Sequence, residues 1–123
     1  MLNLVVLEGV LARPAEQREL PSGTRLVSLE VTVRREQGPA ETAPVAWFDA
    51  PAWAAMLDAD AAVLVVGRVR RRFYRAEGTT RSRTEVVASR VVRRSSLKAA
   101  RGALGEACAA LEAAALAPAP PRG

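Results

Sequence analysis

The chain has no histidine and a single cysteine, Cys108, in 123 residues. Lack of histidine removes the commonest general base and a frequent metal ligand. One cysteine can make neither an internal disulfide nor a zinc cluster, which points to a reducing, cytoplasmic setting. No nucleophile stands beside a base, no glycine-rich loop is spaced for phosphates, and Asp58 and Asp60 flank a turn without partners. The sequence therefore reads as a non-enzyme that needs no cofactor or metal. No hydrophobic run approaches the ~20 residues of a membrane helix. The opening MLNLVVLEGVL is apolar but lacks a basic leader and is interrupted by Glu8 and Gly9, so it reads as a strand and not a signal peptide. Aromatic residues are scarce, with two Trp, one Tyr and two Phe, so each one matters to the assignment.

Positive charge is what the chain does have. Eighteen basic residues face thirteen acids, a net +5 and a pI near 10.9, which favours an acidic partner. The excess is local: from Arg68 to Arg94 ten arginines face only Glu77 and Glu85, a net +8. This stretch, Val63 to Val92, reads as two strands joined by a basic loop. Side chains alternate along a strand with period two, so Arg68, Arg70, Arg72 and Tyr74 share one face. Arg71 and Phe73 fall on the other, where Phe73 reads as core and Arg71 as a charge at the end of the fold or at an interface. Guanidinium groups in a row ending in an aromatic ring suit a single-stranded nucleic acid, because the charges follow phosphates while the ring stacks on a base. A charged, solvated edge strand is the competing reading.

The remaining pattern is that of one small domain. Leu2 to Arg13 is apolar on both faces, as expected of a strand central to a barrel or packed on another subunit, and Gly9 in its middle predicts a bulge or sharp bend. RPAEQRELPSGT reads as a polar connection. Leu26 to Glu36 alternates, with Val27, Leu29, Val31 and Val33 on one face. A loop around Gly38 and Pro39 leads to a short strand at Pro44–Asp49 carrying Trp47, and Pro51 opens a short helix carrying Trp53. Five strands, with one short helix between the third and fourth, give an all-β Greek-key barrel in the order of an OB-fold.

Five fragments then carry a family resemblance: LEGVLARP, LPSGT, VAW at Val45–Trp47, VVGRVRRRFY at Val65–Tyr74, and RTEVVAS at Arg83–Ser89. Over about residues 1–93 the chain resembles the bacterial single-stranded DNA-binding proteins. The resemblance implies an OB-fold domain over 1–94 that self-associates, as a homotetramer or a homodimer, and coats single-stranded DNA on the nucleoid during replication, recombination and repair. It also implies base stacking by Trp47, Trp53 and Tyr74; the competing reading is that Trp47, on an alternating strand, is core and that Trp53 packs its helix. A further aromatic expected near the end of the second strand is replaced by Arg34 and Arg35. With these two, Arg68, Arg70, Arg72 and Arg75 are the expected phosphate contacts, followed by Arg81 and Arg83.

Beyond residue 94 the chain departs from that family. Ser95 or Ser96 can cap an alanine-rich helix over 95–117, in which Leu97, Leu104 and Leu111 repeat every seven residues. Three repeats favour packing on the barrel over a coiled coil, and Cys108 reads as buried with them. APAPPRG at 117–123 reads as a disordered end. No acidic, aromatic-tipped tail is present, so recruitment of repair enzymes through such a tail is not expected. An OB-fold that binds protein, or serves as a structural subunit of a replication complex, remains an alternative; so does a basic RNA-binding barrel.

Overall fold

The computed structural model describes residues 1–116; the segment 117–123, read above as a disordered end, lies outside the described residues. Six strands, β1 (Val5–Leu11), β2 (Glu16–Glu19), β3 (Arg25–Val33), β4 (Glu41–Phe48), β5 (Ala62–Ala76) and β6 (Thr79–Arg93), precede one helix, α1 (Leu97–Leu116). They form a single sheet in the order β1-β5-β6-β4-β3-β2, and a further β1–β3 pairing brings its ends together. Five strands thereby form a closed circuit in which β4 and β6 are parallel and the other pairs antiparallel.

The sequence pattern predicts five strands, and the extra one is β2. Its residues Glu16–Glu19 are all exposed and are held by pairing to β3. A strand stabilised only through its backbone shows no period-two apolar pattern, so it reads as loop.

Inward residues of all the major strands build one core: Leu11, Val27, Leu29, Val31, Val45, Trp47, Val63, Val65, Val86 and Val91. Closure depends on close backbone approach at two glycines. A Cβ on Gly9 would fall 2.3 Å from the Thr32 carbonyl oxygen, where β1 leaves β5 to pair with β3 through Val10 and Leu11. Gly9 thus provides a close contact; the register shift lies elsewhere, between Val66 and Gly67. There Val66 faces Arg90 and Gly67 faces Ala88, leaving Ser89 extra, and the Ser89 hydroxyl donates to the Val66 carbonyl at 3.0 Å. Bulges of this kind bend a strand and increase its twist.

The element after Pro51 is a 3-10 helix, Ala52–Met56, in which only Ala54 is buried. The expected basic loop between β5 and β6 is also different. Both strands are 15 residues long and meet in a two-residue turn, Glu77 (φ 54°) and Gly78 (φ 76°). Positive φ at both central residues is the hairpin turn whose twist matches that of paired strands. The arginines from Arg70 to Arg83 thus sit on a rigid two-stranded arm that projects beyond the closed circuit. Wet on both sides, this arm leaves Phe73 66% exposed, and not in the core as its phase suggests.

The Ser96 hydroxyl accepts the Ala99 amide at 3.3 Å, capping α1. Ala103 and Ala107 of this helix pack on Leu64, Val66 and Val92, with Leu4 beside them. Alanines therefore make the contact with the sheet, and Leu97, Leu104, Leu111 and Cys108 are exposed. The expected burial of the leucine stripe and of Cys108 is corrected accordingly: small side chains let the helix approach closely and rotate the leucines outward.

Candidate nucleic-acid interface

An open groove of about 430 Å³ runs over the outward face of β3 and β4, between β2 and the arm. Its floor follows from strand register. Leu26 pairs with Phe48, Ser28 with Ala46 and Glu30 with Pro44, so small or flat side chains alternate outward while Val27, Leu29, Val45 and Trp47 point into the core. Five arginines line the groove, Arg13 and Arg18 on one side and Arg70, Arg72 and Arg83 on the arm, against Glu16, Glu30 and Glu85.

Aromatic rings and guanidinium groups are interleaved here. Arg70 lies over the Phe48 ring at 5.2 Å and Arg72 over Tyr74 at 5.5 Å. Glu85 is 8% exposed and receives both cations, Arg70 at 3.3 Å and Arg72 at 3.0 Å. Arg83 reaches across to Glu30 on β3 at 3.1 Å. These pairs hold the arginines over the floor. The Arg70 Nε is buried without a hydrogen-bond partner among the described residues. On the arm, Arg72 directly faces Arg83 and Tyr74 faces Arg81; like charges opposed across strands destabilise a free sheet, and an anionic ligand relieves that repulsion.

The structure gathers only some of the expected residues. Arg70, Arg72 and Arg83 line the groove, and Tyr74, exposed, continues their face. Arg75 and Arg81 stand farther out on the arm, with Arg75 donating to the Gly78 carbonyl at 3.2 Å. Arg68 shares the face but lies beside α1, near Glu106 and Ala110. Arg34 and Arg35 are elsewhere: Arg34 lines a depression with Glu8 and Gly9, and Arg35 pairs with Glu41 at 3.4 Å.

Neither tryptophan reaches the groove. Trp47 is 8% exposed and belongs to the core, because Val45 and Trp47 share the inward phase of β4. Trp53 meets it edge to face, ring centroids 5.6 Å apart, and carries Arg93 on its other side at 5.6 Å. Trp47 is thus placed in the core, and Trp53, 39% exposed, lies outside the residues that line the groove. The outward aromatic of β4 is the next residue, Phe48, which the sequence reading missed. Its signal was available: strand alternation allows only one of Trp47 and Phe48 to face outward, and Val45 fixes which. Arg13 and Arg18 were missed because β2 was.

Among the described residues no group of histidine, cysteine or carboxylate side chains could hold a metal, and no helix is long and apolar enough to cross a membrane.

The described residues thus combine a mostly β fold of six strands and one C-terminal helix with an arginine-rimmed exterior groove. The sequence matches the single-strand binding protein family over residues 2–94, and the chain belongs to that family and has its OB-fold. Among solved structures it is similar to the wild-type single-stranded DNA binding protein from Thermus aquaticus, with 31% identity and a TM-score of 0.62. That likeness covers 75% of this chain and 40% of the Thermus aquaticus chain. No curated protein matches. Helix α1 lies beyond the matched residues.

Proposed function

We propose that this chain binds single-stranded DNA without sequence preference along the groove between β2 and the arm. The carrying observation is the pairing of Arg70 with Phe48 and of Arg72 with Tyr74 above a floor of Ser28, Ala46 and Pro44. An extended strand fits such a floor with bases on the two rings and phosphates toward Arg13, Arg18, Arg70, Arg72 and Arg83. Arg68 and Arg81 extend the same track, whereas Arg75 has the phase of Arg71 and Phe73 and falls on the other face of the arm. A base approaching Phe48 or Tyr74 meets a ring already polarised by a guanidinium, which can turn to phosphate while remaining stacked. Among the described floor residues Ala46 and Pro44 carry no side-chain hydrogen-bonding group to read a base edge, consistent with coating of exposed strands in replication, recombination or repair on the nucleoid. The resemblance to the Thermus aquaticus protein supports this reading.

Self-association, as homotetramer or homodimer, belongs to the same proposal. It has two surfaces to draw on: the edge of β1 from Val5 to Gly9, which pairs with β5 but meets β3 only at Val10 and Leu11, and the exposed leucines of α1.

The test is anisotropy titration of labelled oligo(dT), matched duplex and an RNA oligomer at two salt concentrations. Preference for single strands, with log affinity falling by about 3.5 per decade of salt, matches roughly five neutralised phosphates at about 0.7 each. Equal affinity for RNA would broaden the ligand class. A flat salt response would refute the groove.

A further inference from the structure

The arm carries a second arginine–aromatic module on the side away from the groove. Tyr74 and Arg72 face the groove; Phe73 and Arg71, one residue earlier on β5, face the opposite way, and Arg71 lies over the Phe73 ring at 5.5 Å. The two modules have the same spacing and the same stacking distance, because period two repeats an i, i+2 pair on each face of one strand. They differ in what surrounds them. On the groove side Glu85 and Glu30 hold Arg70, Arg72 and Arg83. On the reverse side Arg71 donates from Nε and Nη2 to the Ser82 hydroxyl at 3.1 and 2.9 Å and has no carboxylate partner among the described residues. The hydroxyl orients the guanidinium without neutralising it. Phe73 is the most exposed of the aromatic rings, at 66%, and Val69 below it is also exposed.

Placing phenylalanine and valine in water on a rigid hairpin gains nothing for folding, since neither side chain is buried. Beside an unneutralised, oriented arginine, the same surface matches a nucleotide, with ring against base and guanidinium against phosphate. We propose that the reverse face of the arm, Arg71, Phe73 and Val69, is a second binding subsite for single-stranded nucleic acid. A strand that has filled the groove passes the tip at Glu77–Gly78 or the edge of the arm and returns along this face, so the arm is gripped on both sides. The inference rests on the groove reading, because the second segment is the continuation of the first.

Length dependence separates the two. An oligo(dT) of about 8 nucleotides fits within the groove, and one of about 35 exceeds the span of a single small-barrel site. Phe73→Ala, at an exposed position, should leave thermal unfolding and binding of the short probe unchanged. Affinity for the long probe should fall by about 5- to 150-fold, the range for one stacked base, with fewer nucleotides occluded per chain. Arg71→Gln should lower the salt slope by about 0.7 on the long probe only. Equal affinity of wild type and Phe73→Ala for the long probe overturns the subsite, as does an equal loss on both probes, which would place Phe73 in the groove. Failure of wild type to bind the short probe refutes the groove itself.

Discussion

Arg70 lies over the ring of Phe48, 5.2 Å from its centroid, joining the arm to the outward face of β4 across the groove. This contact makes Phe48, and not its neighbour Trp47, the aromatic available to a ligand on that strand. Phe48→Ala should weaken oligo(dT) binding by about 1 to 3 kcal/mol, and Tyr74→Ala should do the same. The check is a pair of anisotropy titrations at fixed salt. Unchanged affinity in both variants would remove base stacking from the groove.

The tryptophans should behave as structural residues. Trp47→Ala empties part of the core and is expected to cost about 3 to 5 kcal/mol of stability, read by urea unfolding. Trp53→Ala removes a ring that is 39% exposed and should cost less. Any folded fraction of either variant should bind oligo(dT) with wild-type affinity. A tryptophan variant that folds normally but binds weakly would return that residue to the site.

Glu85 restrains two groove arginines with one carboxylate. Glu85→Gln should lower stability by about 1 to 3 kcal/mol, since the carboxylate is buried and takes two charged partners while both arginines remain partly exposed. Single-strand binding at low salt should tighten and its salt dependence steepen, because cations formerly paired within the protein are freed for phosphate. Weaker binding with unchanged stability would show instead that Glu85 is needed to aim the arginines.

Gly67 should tolerate no side chain. A Cβ there would lie 2.2 Å from the Val87 carbonyl oxygen and 2.9 Å from the Ala88 Cα, both backbone atoms that cannot rotate away. Gly67→Ala should therefore destabilise by about 1 to 3 kcal/mol or more, seen as a lower unfolding midpoint. An unaltered midpoint would mean that the bulge at Ser89 relaxes freely.

Legibility in the sequence followed burial. β3 and the base of β5 were readable because one or both faces are dry, and the phase of Arg70, Arg72 and Tyr74 followed from the alternation beginning at Val63. β2 was hidden because its four residues are exposed and its strand character resides in backbone pairing to β3. The outer part of the arm, beyond Tyr74, read as a loop because polar arginines and threonines resemble turn composition, while the positive φ of Glu77 and Gly78 is a short-range feature that only the dipeptide Glu-Gly hints at. Trp47 was misplaced by residue type, an aromatic in a familiar motif, when its phase with Val45 already set it inward. In α1 the heptad leucines drew attention from Ala103 and Ala107, whose small size is what permits contact with the sheet. Arg34 and Arg35 entered the expected site through the position of a missing aromatic, and the structure places Arg34 beside Glu8 and Gly9 and Arg35 against Glu41.

Ultraviolet cross-linking of the full chain to oligo(dT), with the attached residues located by tandem mass spectrometry, tests the central claim most directly. The account predicts adducts at Phe48 and Tyr74, lost when excess unlabelled single strand competes. Adducts confined to Trp53 or to α1, with none on β4 or the arm, would contradict it.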